Sequence, residues 1–88
     1  SIREQGIMDE VLLKGVSTVI NGVRFDCLIR DAENRVLLAT GLTVPTDTSS
    51  GFAKGCMFID TNVGSGTGGL YLNKGTKTSC IFSLVTQA

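Results

Sequence analysis

The dipeptide Asn21-Gly22 stands between two apolar-rich segments, STVI and VRFDCLI, and constrains this chain more than any other local feature. Both residues tolerate the positive φ of a two-residue type I′ turn, whose twist matches the antiparallel strands that it joins. A β-hairpin centred on residues 21–22 is therefore predicted. In the segment after it Val23, Phe25, Cys27 and Ile29 share one parity and Arg24, Asp26 and Arg30 the other, with Leu28 as the exception. Such period-two alternation describes a strand with one face in a core and the other in water.

Upstream, VLLKGVSTVI is rich in β-branched and aliphatic residues, and Gly15 within it marks a bulge or the end of a first short strand. Downstream, Asp31-Ala32-Glu33-Asn34 reads as a polar turn and Arg35 to Ala39 as the returning strand. The only proline, Pro45, lies in the stretch from Gly41 to Gly55, and its missing N–H argues against a central strand there. Thr46 to Gly51 is expected to be a polar surface loop. Phe52, isolated beside it, is then the aromatic expected at the surface or in an interface.

Cys56 to Ile59 is a short apolar run. The segment GSGTGGLYLNKGT, residues 64–76, follows with five glycines around one apolar triplet, which suits turns about a short Leu70-Tyr71-Leu72 strand. Asn73 to Thr76 is expected to be a tight turn, and Ser79 to Thr86 the last strand. There Cys80, Phe82 and Leu84 form one face and Ile81, Ser83 and Val85 the other. With both faces substantially apolar, this strand suits an interior position or contact with another subunit. The whole reads as an all-β single domain, residues 11–88, behind an N-terminal arm, residues 1–10. A small β-sandwich or β-barrel of about six to eight short, mainly antiparallel strands is the default architecture.

Composition narrows the function. Eighty-eight residues make one domain, and 42% are hydrophobic against 18% charged, below the roughly 25% charged of an ordinary soluble domain. Eight basic and eight acidic residues are interspersed and cancel, so no phosphate-neutralising stripe exists and nucleic-acid binding is not expected. A chain without net charge also lacks the repulsion that keeps small domains apart. No run approaches 18 apolar residues, and no basic stretch leads into an apolar one, so neither a membrane span nor a secretion signal is expected. Three cysteines, Cys27, Cys56 and Cys80, sit in apolar runs at wide spacing and read as buried small hydrophobes in a reducing compartment.

The groups that carry chemistry are sparse. GSGTGG looks like part of a dinucleotide turn, but GLYLNKG follows at once and leaves no room for the helix that such a turn must open. With no histidine, no base that titrates near neutral pH is at hand, and no nucleophile has a partner at a recognisable spacing. Asp26, Asp31 and Asp60 are the candidates for a hard cation or acid-base work, though aspartates near strand ends are most often solvated turn residues. Asp60 in particular is placed to cap a turn through Thr61 and Asn62. No enzymatic activity, cofactor or metal is expected.

Gly51, Gly55, Cys56, Phe58, Asp60 and Thr61, followed by Gly69, Leu70, Tyr71, Asn73, Gly75, Thr76 and Cys80, form a pattern over residues 51–85. This pattern resembles a segment of small structural proteins of tailed bacteriophages, of the head-decoration and head-fibre type. The resemblance implies a non-enzymatic virion protein made in the host cytoplasm. Its implied place is the capsid surface, as a homo-oligomer, with a trimer favoured, bound across boundaries of the major capsid protein. In such a role Ile2, Ile7 and Met8 of the arm, with Phe52 and Lys54 of the long loop, are the candidate capsid contacts, and Ile81 and Val85 the candidate subunit contacts. Two alternatives stay open: a carbohydrate- or receptor-binding module of a phage fibre, with Tyr71 and Asn73 lining a groove, and a small metal-dependent enzyme using the three aspartates.

Overall fold

The computed structural model describes residues 14–62 and 68–85. Six strands, β1 (Val16–Ile20), β2 (Val23–Arg30), β3 (Val36–Gly41), β4 (Phe52–Asp60), β5 (Gly69–Asn73) and β6 (Phe82–Leu84), lie side by side in chain order. They form one open sheet with β1 and β6 as its edges, so the all-β reading stands while the chain has neither a second sheet nor barrel closure among the described residues. The N-terminal arm lies outside the described residues, as do Gly64 to Gly66 of the glycine-rich stretch.

The hairpin forms where Asn21-Gly22 places it. Both residues have positive φ, 51° and 82°, and Ile20 pairs with Val23 across the turn. The second turn is also local: Asp31 Oδ1 accepts from the backbone N–H of Glu33 at 2.9 Å and of Arg35 at 2.8 Å, and Asn34 takes φ 64°. A carboxylate that reaches its own backbone two and four residues on replaces ladder bonds where the chain reverses. Leu28 broke the alternation for a structural reason, a register shift in the β2–β3 ladder between Cys27 and Ile29, and the same shift turns Ile29 from the expected core face to the outer one, where it is 41% exposed.

Four strand pairings are antiparallel, but β3 and β4 run parallel. Consecutive parallel neighbours need a crossover, and here residues 42–51 supply it without a helix. The crossover lies over the inner face of the sheet: Pro45 and Ser49 are buried and Val44 packs against the core. Its backbone groups find partners on residues 77–80. Thr48 N–H donates to Cys80 O at 2.8 Å, Cys80 N–H to Ser49 O at 3.0 Å and Gly51 N–H to Lys77 O at 3.1 Å. The expected polar surface loop is therefore a cover for the core.

Phe52 corrects a sequence expectation. It is fully buried, the first residue of β4, paired with Val36. A register shift then sets residues 53–56 against Leu37 alone before Met57 pairs with Leu38. This wide bulge, with Gly55 at φ 82°, lets Phe52, Ala53 and Cys56 all turn inward. Sequence proximity to polar loop residues concealed that. Phe25, Phe52, Phe58 and Phe82 meet in one cluster, with ring centroids 5.3 to 6.1 Å apart and mostly edge-to-face. Each buried ring contributes on the order of 2 to 3 kcal/mol through area removed from water. The cluster joins side chains of β2, β4 and β6.

The last strand is also shorter than the expected Ser79–Thr86. Residues 74–81 form a loop rather than a tight turn and strand start, because the Asn73 side chain organises them. Gly75 is needed here, since a Cβ at that position would lie 2.4 Å from Ser79 O.

Candidate functional site

Cross-strand pairing resolves the sheet into two faces. One row, Val16–Cys27–Ala39–Phe58–Tyr71–Leu84, runs over all six strands on the inner face. The adjacent rows lie on the outer face. Ser17, Asp26, Thr40, Ile59 and Leu70 form one, which Val85 continues through its N–H to Leu70 O at 2.8 Å. Ile29, Leu38, Met57, Leu72 and Ser83 form the other.

These outer rows change character along the sheet. Over β1 and β2 they are mixed, with Ser17 accepting from Arg24 Nη1 at 2.8 Å and Asp26 exposed beside them, while Ile29 is 41% exposed near the end of β2. Over β3 to β6 they carry no charged side chain. Met57 is 42% exposed, Ile59 40%, Leu70 37%, Ile81 49% and Val85 48%, with Leu38 and Leu72 half-buried between them. Contiguous apolar surface of this kind marks an interaction site. Ile81 and Val85, the candidate subunit contacts, are exposed at its β6 border. Met57, Ile59, Leu70 and Leu72 went unassigned in the sequence, although their signal was present: CMFID and LYL are apolar at both parities, which one buried face does not require.

The other candidates fall elsewhere. Ile2, Ile7 and Met8 lie outside the described residues. Phe52 is core and presents no surface to a partner, whereas Lys54 stands exposed on the β4 bulge. Lys54 borders a groove of about 440 Å³ with Glu33, Arg35, Leu37, Thr76 and Lys77, in which Arg35 and Glu33 form an ion pair. Tyr71 packs half-buried against the core, and it lines a shallow recess with Leu42, Thr43, Val44 and Asp60.

Asn73 is 1% exposed and its amide is engaged throughout. Nδ2 donates to Ala53 O at 2.9 Å and, more weakly, to Phe52 O and Thr76 O, while Oδ1 accepts from Gly75 and Ile81 N–H, both at 2.9 Å. It has no atom left for a ligand, so Tyr71 and Asn73 do not line a groove together. It is a structural residue: one side chain satisfies backbone groups of β4 and of the 74–81 loop.

The three aspartates are apart in role. Asp26 is exposed on the outer face, Asp31 shapes its turn, and Asp60 is buried and accepts from Asn62 N–H at 2.8 Å, the cap that its position promised. No cluster of three or more metal-ligating side chains occurs among the described residues. Cys27, Cys56 and Cys80 are buried free thiols. Burial pushes the Cys56 thiol up to about 12, helped by its neighbours Cys27 and Cys80, and burial likewise raises Cys80. A thiol so shielded is held protonated at neutral pH and is a poor nucleophile. Among the described residues no helix is long and apolar enough to cross a membrane. No protein-family model, curated protein or solved structure matches this chain.

Proposed function

We propose that this chain is a structural protein of a virion, without enzymatic activity, that works by assembly: a capsid decoration protein made in the host cytoplasm and bound across boundaries of the major capsid protein. One observation carries the assembly part, the largely apolar outer face of β3 to β6, whose two rows offer a partner area and carry no charged side chain to orient a substrate. The phage resemblance of residues 51–85 supplies the virion context and favours a trimer of copies.

The division of labour follows from position. Ile81 and Val85 lie on the apolar face and serve contacts between copies. Lys54, at the exposed bulge at the start of β4, and the arm residues Ile2, Ile7 and Met8 serve the capsid. Many weak contacts of this kind act together once a shell holds the copies at high effective concentration.

Cosedimentation tests the proposal: the purified chain is mixed with capsids, lacking it, of the phage that encodes it. Saturable binding in whole-number ratio to capsomers, with a higher melting temperature of the shell, is expected. Capsids that neither retain the chain nor gain stability would refute it.

A further inference from the structure

An apolar sheet face is stable in water only when another layer covers it, and the described residues place none over β3 to β6. We infer that its occupant is the same face of a second copy, packed across a two-fold axis, so that a two-layer sandwich forms between molecules. The inference rests on the assembly reading above and puts a two-fold pair in place of the trimer on this face.

Charge and area select the second copy. A two-fold interface sets a patch against itself, so any charged side chain near the axis meets its own like charge. The rows Thr40–Ile59–Leu70 and Leu38–Met57–Leu72–Ser83 contain none. Charge on the outer face stands at the borders of these rows, at Arg24 and Asp26 over the hairpin and at Lys74, whose N–H donates to Ile81 O at 2.8 Å where β5 ends. An axis running along β4 and β5 carries each hairpin past the partner's β6 edge, where Arg24 and Asp26 stay in water. An acidic or basic partner would find nothing to pair with on these two rows. Four strands about 4.8 Å apart, each giving two or three outward side chains, remove on the order of 1,000 Å² in total when two such faces meet. That is the lower bound of a specific interface, the size at which weak and reversible complexes are found.

Sedimentation equilibrium of the full chain over a concentration series reads this directly. A monomer–dimer equilibrium is expected, weakened about tenfold or more by Met57→Lys or Ile81→Lys, since each buries an unpaired charge at the interface. Both side chains are exposed in the single chain, and a far-ultraviolet spectrum confirms that the variants fold. Val19→Lys, on the outer side of β1 beyond the patch, leaves the equilibrium unchanged. A trimer, a monomer at all concentrations, or a dimer indifferent to both patch variants overturns the inference. So does a monomer that dimerises only after removal of residues 1–13, which would assign the face to the chain's own arm. Capsid cosedimentation separates the two readings: a full chain that stays monomeric yet binds shells retains the decoration role and loses the dimer, and a dimer that binds no shell does the reverse.

Discussion

The β1–β2 hairpin and the β4–β5–β6 end belong to one sheet and share one core, yet they treat their outer faces differently. On the hairpin, inward residues mostly alternate with polar or charged ones, as at Phe25 and Asp26, with Val19 and Ile29 as the outward apolar exceptions. At the other end Met57, Ile59, Leu70 and Leu72 place apolar side chains outward between inward ones. Folding the single chain explains the first pattern and leaves the second without a cause. Apolar side chains at both parities mean two apolar environments, and the core supplies only one.

The sharpest break is at the face that both ends share. Phe52→Ala removes a ring that touches Phe25 of the hairpin side and Phe82 of the far end, and it is expected to cost about 3 to 5 kcal/mol by urea unfolding. For a domain of this size that is a large part of the total, so the variant is expected to be mostly unfolded at 37 °C.

Asn73→Ala comes next. It orphans the Gly75 and Ile81 N–H groups and the Ala53 carbonyl, and a loss of about 2 to 4 kcal/mol in the same measurement is expected. Hydrogen exchange should show the 74–81 loop opening while the hairpin stays protected. The counterpart at the hairpin, Asn21→Ala, keeps the turn but forces a Cβ-bearing residue without a side-chain amide into positive φ, and about 1 to 2 kcal/mol is expected.

The thiols test the shared core by pH. The folded value of Cys56, about 12, lies above its ordinary 9.0, so the neutral thiol favours the folded state below pH 9 and that contribution disappears as pH rises from 9 towards 12. Stability is expected to fall across that window, and less so in Cys56→Ala. The smallest effects are on the outer face itself. Val19→Lys and Met57→Lys are each expected to change monomer stability, measured at high dilution, by less than about 0.5 kcal/mol. A large loss at Met57 alone would mean that the far end's outer face is already covered within the chain.

Much of this was legible locally. The Asn21-Gly22 turn, the Asp31 turn, the Asp60 cap and the alternation of Val23 to Cys27 each depend on a side chain acting on its own backbone within four residues, or on the two-residue repeat of extended chain. The apolar second face of the β6 segment was legible too, and with it Ile81 and Val85. The rest of the patch was not assembled, because neighbouring rows are set by pairing partners far apart in sequence.

Amino-acid order alone therefore determined where the chain extends and where it reverses, since those choices are made by backbone torsions and nearby side chains. Tertiary structure alone decided that β3 and β4 run parallel, that Phe52 enters the core beside a polar loop, and that Asn73 is consumed inside the molecule. Each of these depends on which distant backbone groups and rings lie within a few ångströms. That proximity follows from burying four phenylalanines together, and no short window of residues encodes it.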